Sequence, residues 1–481
     1  MSCFIGDKVY PVSIAQERKL VDREILSLAL PAAGAGLTAL LHTWIDTFWI
    51  GQMPDGAIGV ASIGVSFFTV WIYGSLGSLL IVGLTGVVGR YVGAGRGASA
   101  SYSASQGLRG AFWLAGICAA SGYFLAPLLL GLSGAEGPVF EKGVAYVRIY
   151  WGGGFPIMVG YAATGIFRGY GDTKTPFLLG LVGLGLNVVL DPLFIFGLGP
   201  VPAMGVGGAA LATVICLGAS TGLMLVVLLR RHLVVSKRPP DEDLQLNEST
   251  QLSKPGILGL DPAMQWRLAR IGQPVAMAGI FFSLVYLVIT GFINDRGGPN
   301  AVASLSIGHR VEGFAWVIYT AYSAAASSLV ARYMGEGKTD VAERMAWRAV
   351  LQCACLSAIW GGVLFLFGEE IASVFLAEGA KDSLAVTGGA ALYFRITSWS
   401  LIFQSCDLVL GGAFSGAGLT LSPMILSASI TATRIPLVAW VASAEGSGVG
   451  GVWWVIASTA AAKGVLLIFW FRRGSWKGQS I

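Results

Sequence analysis

The chain has 481 residues, 55% of them hydrophobic and only 12% charged, with a mean hydropathy of +0.71. A soluble protein of this length carries about 25% charged residues, so the composition excludes that class and places the chain in a lipid bilayer. The net charge of +5 is small, and its placement carries more information than its size.

Taken in order, the first 25 residues are mixed polar and include Lys8, Arg18, Lys19 and Arg23, so no cleavable signal peptide is expected there. A membrane helix needs about 20 apolar residues to cross about 30 Å of hydrocarbon. Apolar runs of that size predict twelve spans, at 27–50, 58–88, 103–130, 141–167, 174–198, 203–230, 264–293, 301–331, 344–368, 385–416, 420–443 and 449–471. Residues 231–262, between spans six and seven, are polar and broken by Pro239, Pro240 and Pro255. That stretch reads as a linker between an N-lobe at 1–230 and a C-lobe at 263–481.

The two halves repeat. Val87-Val88-Gly89-Arg90-Tyr91-Val92-Gly93-Ala94-Gly95-Arg96 matches Leu329-Val330-Ala331-Arg332-Tyr333-Met334-Gly335-Glu336-Gly337-Lys338 at an offset of 242. Phe167-Arg168-Gly169-Tyr170-Gly171 matches Phe414-Ser415-Gly416-Ala417-Gly418 at an offset of 247, with Pro176 falling on Pro423. A parallel repeat in an apolar chain predicts an all-α polytopic protein of two pseudosymmetric six-helix lobes, the plan of transporters that rock about a central site. With both termini inside, 23 of the 31 Lys and Arg residues fall on inner segments and only Lys142, Arg296 and Lys381 on outer loops. The expected topology is therefore a multi-pass inner (plasma) membrane protein with both termini cytoplasmic.

One string carries a family resemblance. Gly165 to Pro176 (GIFRGYGDTKTP) resembles the RGxGDTKTP segment that follows the fourth helix of multidrug and toxic compound extrusion (MATE) transporters. Asn187-Val188-Val189-Leu190-Asp191-Pro192 is similar to that family's fifth helix, and Gly205-Val206-Gly207-Gly208 to the start of its sixth. Arg434-Ile435-Pro436-Leu437 and Gly448-Val449-Gly450-Gly451 stand in the corresponding places of the second half. The likeness is greatest to the DinF-like branch. It implies twelve helices in two lobes and export of organic molecules coupled to a cation. Other branches place a carboxylate in the seventh helix, but 275–293 holds no Asp or Glu, and Gln404 stands where some place an Asp in the tenth. Attention therefore falls on the first half.

An ionised carboxylate inside a span costs at least about 2.5 kcal/mol, so each one marks a candidate site. Asp46 in span one and Asp191 in span five lie at similar depths below the outer boundary. Asn187 precedes Asp191 by four residues and shares its helical face. Thr213 in span six falls at the same level. The resemblance places a cation site on Asp46, Asn187, Asp191 and Thr213. Paired carboxylates accept a proton near neutral pH, and the same oxygens suit Na⁺ as hard ligands; the sequence leaves H⁺ and Na⁺ both open.

Pro31 matches the family's first-helix proline, and a moving bend and a static kink are equally compatible with it. His42, one turn before Asp46, reads as a core histidine in preference to a proton relay. Glu312 has Arg395 or Arg434 as prospective partners. Asp407 and Lys463 lie at matching depths and predict a buried ion pair. For these charges a lobe-stabilising role is preferred to coupling.

The function expected is a cation-coupled antiporter exporting drug-like or cationic small molecules by alternating access. A flippase for a lipid-linked or amphipathic precursor is the alternative. Only His42, His232 and His309 exist, without HxxxH or HExxH spacing, so an enzyme is not expected. No cofactor beyond the coupling ion, no nucleic acid and a monomer complete the expectation, with small molecules and the bilayer as partners.

Overall fold

A computed structural model describes residues 2–5, 8–11, 14–132, 135–235, 237–240, 259–375, 383–443 and 448–478. A short antiparallel hairpin, β1 (Ser2–Ile5) and β2 (Lys8–Pro11), comes first, and the elements that follow it among the described residues are helical. The N-terminal half contains α1 (Ile14–Gly51), α2 (Gly56–Gly93), α3 (Gly97–Leu132), α4 (Gly137–Gly152), α5 (Gly154–Gly169), α6 (Lys174–Phe196) and α7 (Val206–Arg230). The C-terminal half contains α8 (Pro262–Gly335), α9 (Thr339–Ser373), α10 (Ser383–Thr397), α11 (Leu401–Gly416), α12 (Leu421–Ala432), α13 (Arg434–Ser443) and α14 (Gly448–Arg472).

Among the described residues, ten helical segments are long and apolar enough to cross a bilayer. The two other spans, four and ten, are each broken into shorter helices. Gly153 divides α4 from α5, and the 3₁₀ turn Ser398–Ser400 divides α10 from α11, at the offset of 247 that relates the repeats. Spans seven and eight run through α8, which bends at Gly298, where φ is 65° and ψ −168°. The repeat also sets the turns. Gly95 and Gly337 both have φ 72°, and Gly171 and Gly418 have φ 77° and 82°, a left-handed conformation that glycine adopts without penalty.

The lobes meet at the end of the bundle that carries Arg90, Arg168 and Arg332, and the contacts there obey the pseudosymmetry. A Cβ on Gly93 would overlap the Arg332 carbonyl oxygen, and one on Gly335 would overlap the Arg90 carbonyl oxygen. The Arg-Tyr-x-Gly motifs of the two halves thus pack on each other, and glycine is what lets them approach. Ser328 Oγ donates to the Arg168 carbonyl at 2.6 Å, while the Arg90 guanidinium donates to the Ala417 carbonyl at 3.4 Å.

The first helix of each half is exchanged at this basic end. Ile25, Leu28 and Ala29 of α1 bury themselves in the second half's core beside Tyr319, Met345 and Phe414. Reciprocally, Ala263, Met264, Leu268 and Ile271 of α8 join the first half's core beside Tyr102, Met158 and Phe167. Polar ties reinforce both crossings: Arg348 donates to Asp22 through Nε and Nη2 at 2.6 and 2.9 Å, and Tyr102 donates to Asp261 at 3.0 Å. The expected linker at 231–262 falls largely on 241–258, which lies outside the described residues. Its returning end is fixed, because Gly259 accepts from Arg109 at 2.7 Å and Asp261 caps α8 through the amides of Ala263 and Met264.

Candidate functional site

Three helices of the first half converge on one buried polar group. Asp46 lies near the end of α1 opposite the basic end, Asn187 and Asp191 share the inward face of α6, and Thr213 projects from α7. Their exposures are 5%, 0%, 0% and 6%, so bulk water does not solvate them. The Asn187 amide nitrogen donates to Asp46 Oδ1 at 3.3 Å and to Asp191 Oδ1 at 2.9 Å. Thr213 Oγ1 donates to Asp46 Oδ2 at 3.0 Å. The i, i+4 spacing of Asn187 and Asp191 puts both on one helical face and makes the second of these bonds local.

The group is incompletely satisfied. Asn187 Oδ1, Asp191 Oδ2 and His42 Nδ1 are buried without a hydrogen-bond partner. Buried polar atoms are almost always paired; here Asp191 lies against Asp46 and His42 against Asn187, so a proton held between the two carboxyl groups and one on His42 Nδ1 would complete the bonding. Two carboxylate groups, an amide oxygen and a hydroxyl form an all-oxygen donor set that fits a proton or a hard monovalent cation. His42 packs beside Asn187, one turn before Asp46 on α1. Tyr146 on α4, absent from the sequence-based candidates, lies near both carboxylates and is itself buried. It carried no signal because one tyrosine in an apolar span resembles any core aromatic.

Pro31 lies inside α1 between the portion embedded in the second half's core and the portion bearing His42 and Asp46. The remaining charged candidates sit elsewhere. Asp407 accepts from Lys463 at 3.0 Å and from Ser427 at 3.3 Å, an ion pair joining α11, α12 and α14. Glu312 on α8 is buried beside Tyr393 and Arg434. Near the basic end, Asp172 holds the turn before α6, accepting from the Thr175 amide at 2.9 Å, the Thr175 hydroxyl at 2.6 Å and Arg231 at 2.8 Å. Burial alone pushes this carboxyl up, but the Thr175 and Arg231 donors more than offset it and hold it below its ordinary value.

Comparison with known proteins fits this architecture. The MatE family model matches residues 31–193 and again 274–440, one match per repeat. A probable multidrug resistance protein NorM of Thermotoga maritima is 26% identical over 465 residues, covering 96% of this chain and 94% of that protein. An FAD transporter of Shewanella oneidensis is 26% identical over 366 residues, covering 74% of this chain and 75% of its own. The fold superposes on the outward-facing conformation of a multidrug resistance MATE family transporter, with a TM-score of 0.83 and 21% identity, covering 98% of this chain and 100% of the other. A crystal structure of MATE in the straight conformation gives a TM-score of 0.81 and 22% identity, covering 95% of this chain and 97% of the other. A chain matched by the family model in both of its repeats, with ten membrane-length apolar helices among its described residues, belongs to the MATE family: it is a multi-pass membrane transporter, not an enzyme.

Proposed function

We propose that this transporter exports organic small molecules by alternating access and draws its energy from a cation, H⁺ or Na⁺, bound at Asp46, Asn187, Asp191 and Thr213. The observation that carries the reading is the buried network itself: Asp46 and Asp191 lie against each other, bridged by the Asn187 amide and joined by the Thr213 hydroxyl. The substrate class follows from the relatives, several of which are named as multidrug resistance proteins. In this reading the basic end faces the cytoplasm, which the Lys and Arg distribution supports, and the lobes are closed there.

The chemistry is a competition for a single network. With its cation bound, the charge of the paired carboxylates is compensated and the α1–α6–α7 contacts are complete. On release, the two carboxylates face each other across one amide, and α1 has reason to shift. Because α1 enters the core of the other half below Pro31, that shift acts on the inter-lobe contacts directly. A ligand moves such an equilibrium only by its differential affinity for the two states, and the released network supplies that difference. The test is efflux of a fluorescent organic cation from proteoliposomes under an imposed pH or Na⁺ gradient, with lipid translocation measured in parallel. Lipid movement without dye efflux would replace this reading by a flippase.

A further inference from the structure

The second half contains a buried polar group at the place that corresponds, through the repeat, to the site just described. At the offset of 247 that relates Phe167 to Phe414 and Pro176 to Pro423, Asn187 falls on Arg434 and Asp191 on Val438. At the offset of 242 that relates Arg90 to Arg332, Asp46 falls on Val288. The C-lobe therefore lacks both carboxylates and holds a guanidinium instead. Arg434 is 2% exposed, and its hydrogen bonds run to the same set of spans as those of the first site. Its Nε donates to Thr459 Oγ1 at 2.8 Å, its Nη1 to the Tyr286 hydroxyl at 3.2 Å and its Nη2 to the Ile456 carbonyl at 3.3 Å. Tyr286 lies on span seven and Thr459 and Ile456 on span twelve, the counterparts of the spans that hold Asp46 and Thr213.

The charge has a counter-charge. Glu312, 7% exposed, has Arg434 as its charged neighbour, outside direct ion-pair distance, and the Tyr393 hydroxyl as the donor beside it. Tyr393 lies beside Glu312, His309 contacts the Tyr286 and Tyr393 rings, and Tyr319 completes the ionisable surroundings.

We propose that Arg434 is a resident cation: its guanidinium fills, in the C-lobe, the place where the N-lobe takes its exchangeable coupling ion, with Glu312 as the compensating carboxylate. The C-lobe is then held permanently in its cation-filled form, and it neither binds nor releases an ion during transport. This rests on the coupling reading above and goes beyond it by confining ion exchange to one lobe. A tethered guanidinium suits such a role because it stays charged at all physiological pH and uses several fixed donors at once.

The experiment uses the full-length protein, purified for thermal unfolding and reconstituted for gradient-driven efflux. Arg434→Ala leaves Glu312 buried and uncompensated, so its unfolding midpoint falls by several degrees. Millimolar guanidinium chloride then raises that midpoint while leaving the wild-type value unchanged, and the double variant Arg434→Gln with Glu312→Gln recovers stability without any added ion. Glu312→Gln alone keeps gradient-driven efflux. Loss of that efflux in Glu312→Gln with substrate binding intact would show that Glu312 carries a travelling proton and would overturn the proposal. So would an Arg434→Ala protein that is as stable as wild type or is indifferent to guanidinium. If Arg434→Ala does not fold, the double variant and Glu312→Gln still decide the matter. Efflux by Asp46→Asn separates the two failures: its loss together with loss in Glu312→Gln overturns only this inference, whereas its retention overturns the coupling reading itself.

Discussion

The Asn187 amide donates to Asp46 Oδ1 at 3.3 Å, tying α6 to α1 across 141 positions of sequence. Because α1 is anchored in the N-lobe by this bond and in the C-lobe by Ile25, Leu28 and Ala29, one helix joins the proposed cation site to the lobe interface.

Pro31 lies between those two anchorages. A proline inside a helix removes a backbone hydrogen bond and lowers resistance to bending. Pro31→Ala should stiffen α1 and reduce coupling by about 1 kcal/mol or more, within the usual range for linked sites. Efflux rates at matched protein amounts check this. An unaltered rate would mean that bending at Pro31 plays no part in the cycle.

The paired glycines at the basic end make a second prediction. Gly93→Ala puts a methyl group against the Arg332 carbonyl oxygen, so the lobes should no longer close fully at that end. A cysteine at Ser328, which donates to Arg168 in the closed arrangement, should then react faster with a thiol reagent. Equal reaction rates with and without Gly93→Ala would contradict closure of the lobes through this contact.

Asp172 yields a pH dependence with a definite sign. Its folded carboxyl lies below the ordinary value of 3.8, so its stabilisation is present above that pH and fades as pH falls through the lower folded value. Asp172→Asn should therefore unfold at a lower temperature than wild type at neutral pH, and the two curves should converge once pH has fallen below the folded carboxyl's own lowered value. Parallel thermal scans across pH test it; a gap that persists at the acid end would rule out ionisation as the cause.

Much of this architecture is legible in the sequence. Twelve apolar runs and two motif offsets point to the repeat, and the i, i+4 relation of Asn187 and Asp191 anticipates their shared bond. The Asp407 and Lys463 pair is readable from depth alone, since unpaired charges are costly in a span. The exchange of α1 and α8 between cores is not legible, because Ile25 and Ile271 are apolar residues that would suit either lobe. Nor are the breaks at Gly153 and Ser398–Ser400 visible, since each lies within a run apolar enough to cross unbroken. Arg434 is visible as a charge in a span, but its partners Tyr286 and Thr459 carry no pattern that separates them from ordinary core residues.

The orientation can be checked independently of the mechanism. A single cysteine introduced at Asp243, in the segment expected to face the cytoplasm, should escape a membrane-impermeant thiol reagent in intact cells and react after permeabilisation. Labelling of intact cells would invert the topology.

The most direct measurement is gradient-driven efflux by Asp46→Asn and Asp191→Asn, each reconstituted at the wild-type level and shown by thermal unfolding to be folded. Both variants should bind the dye yet fail to export it under a pH or Na⁺ gradient that drives the wild type, because the network can no longer exchange its cation. Export at the wild-type rate by both would falsify the placement of coupling in the N-lobe.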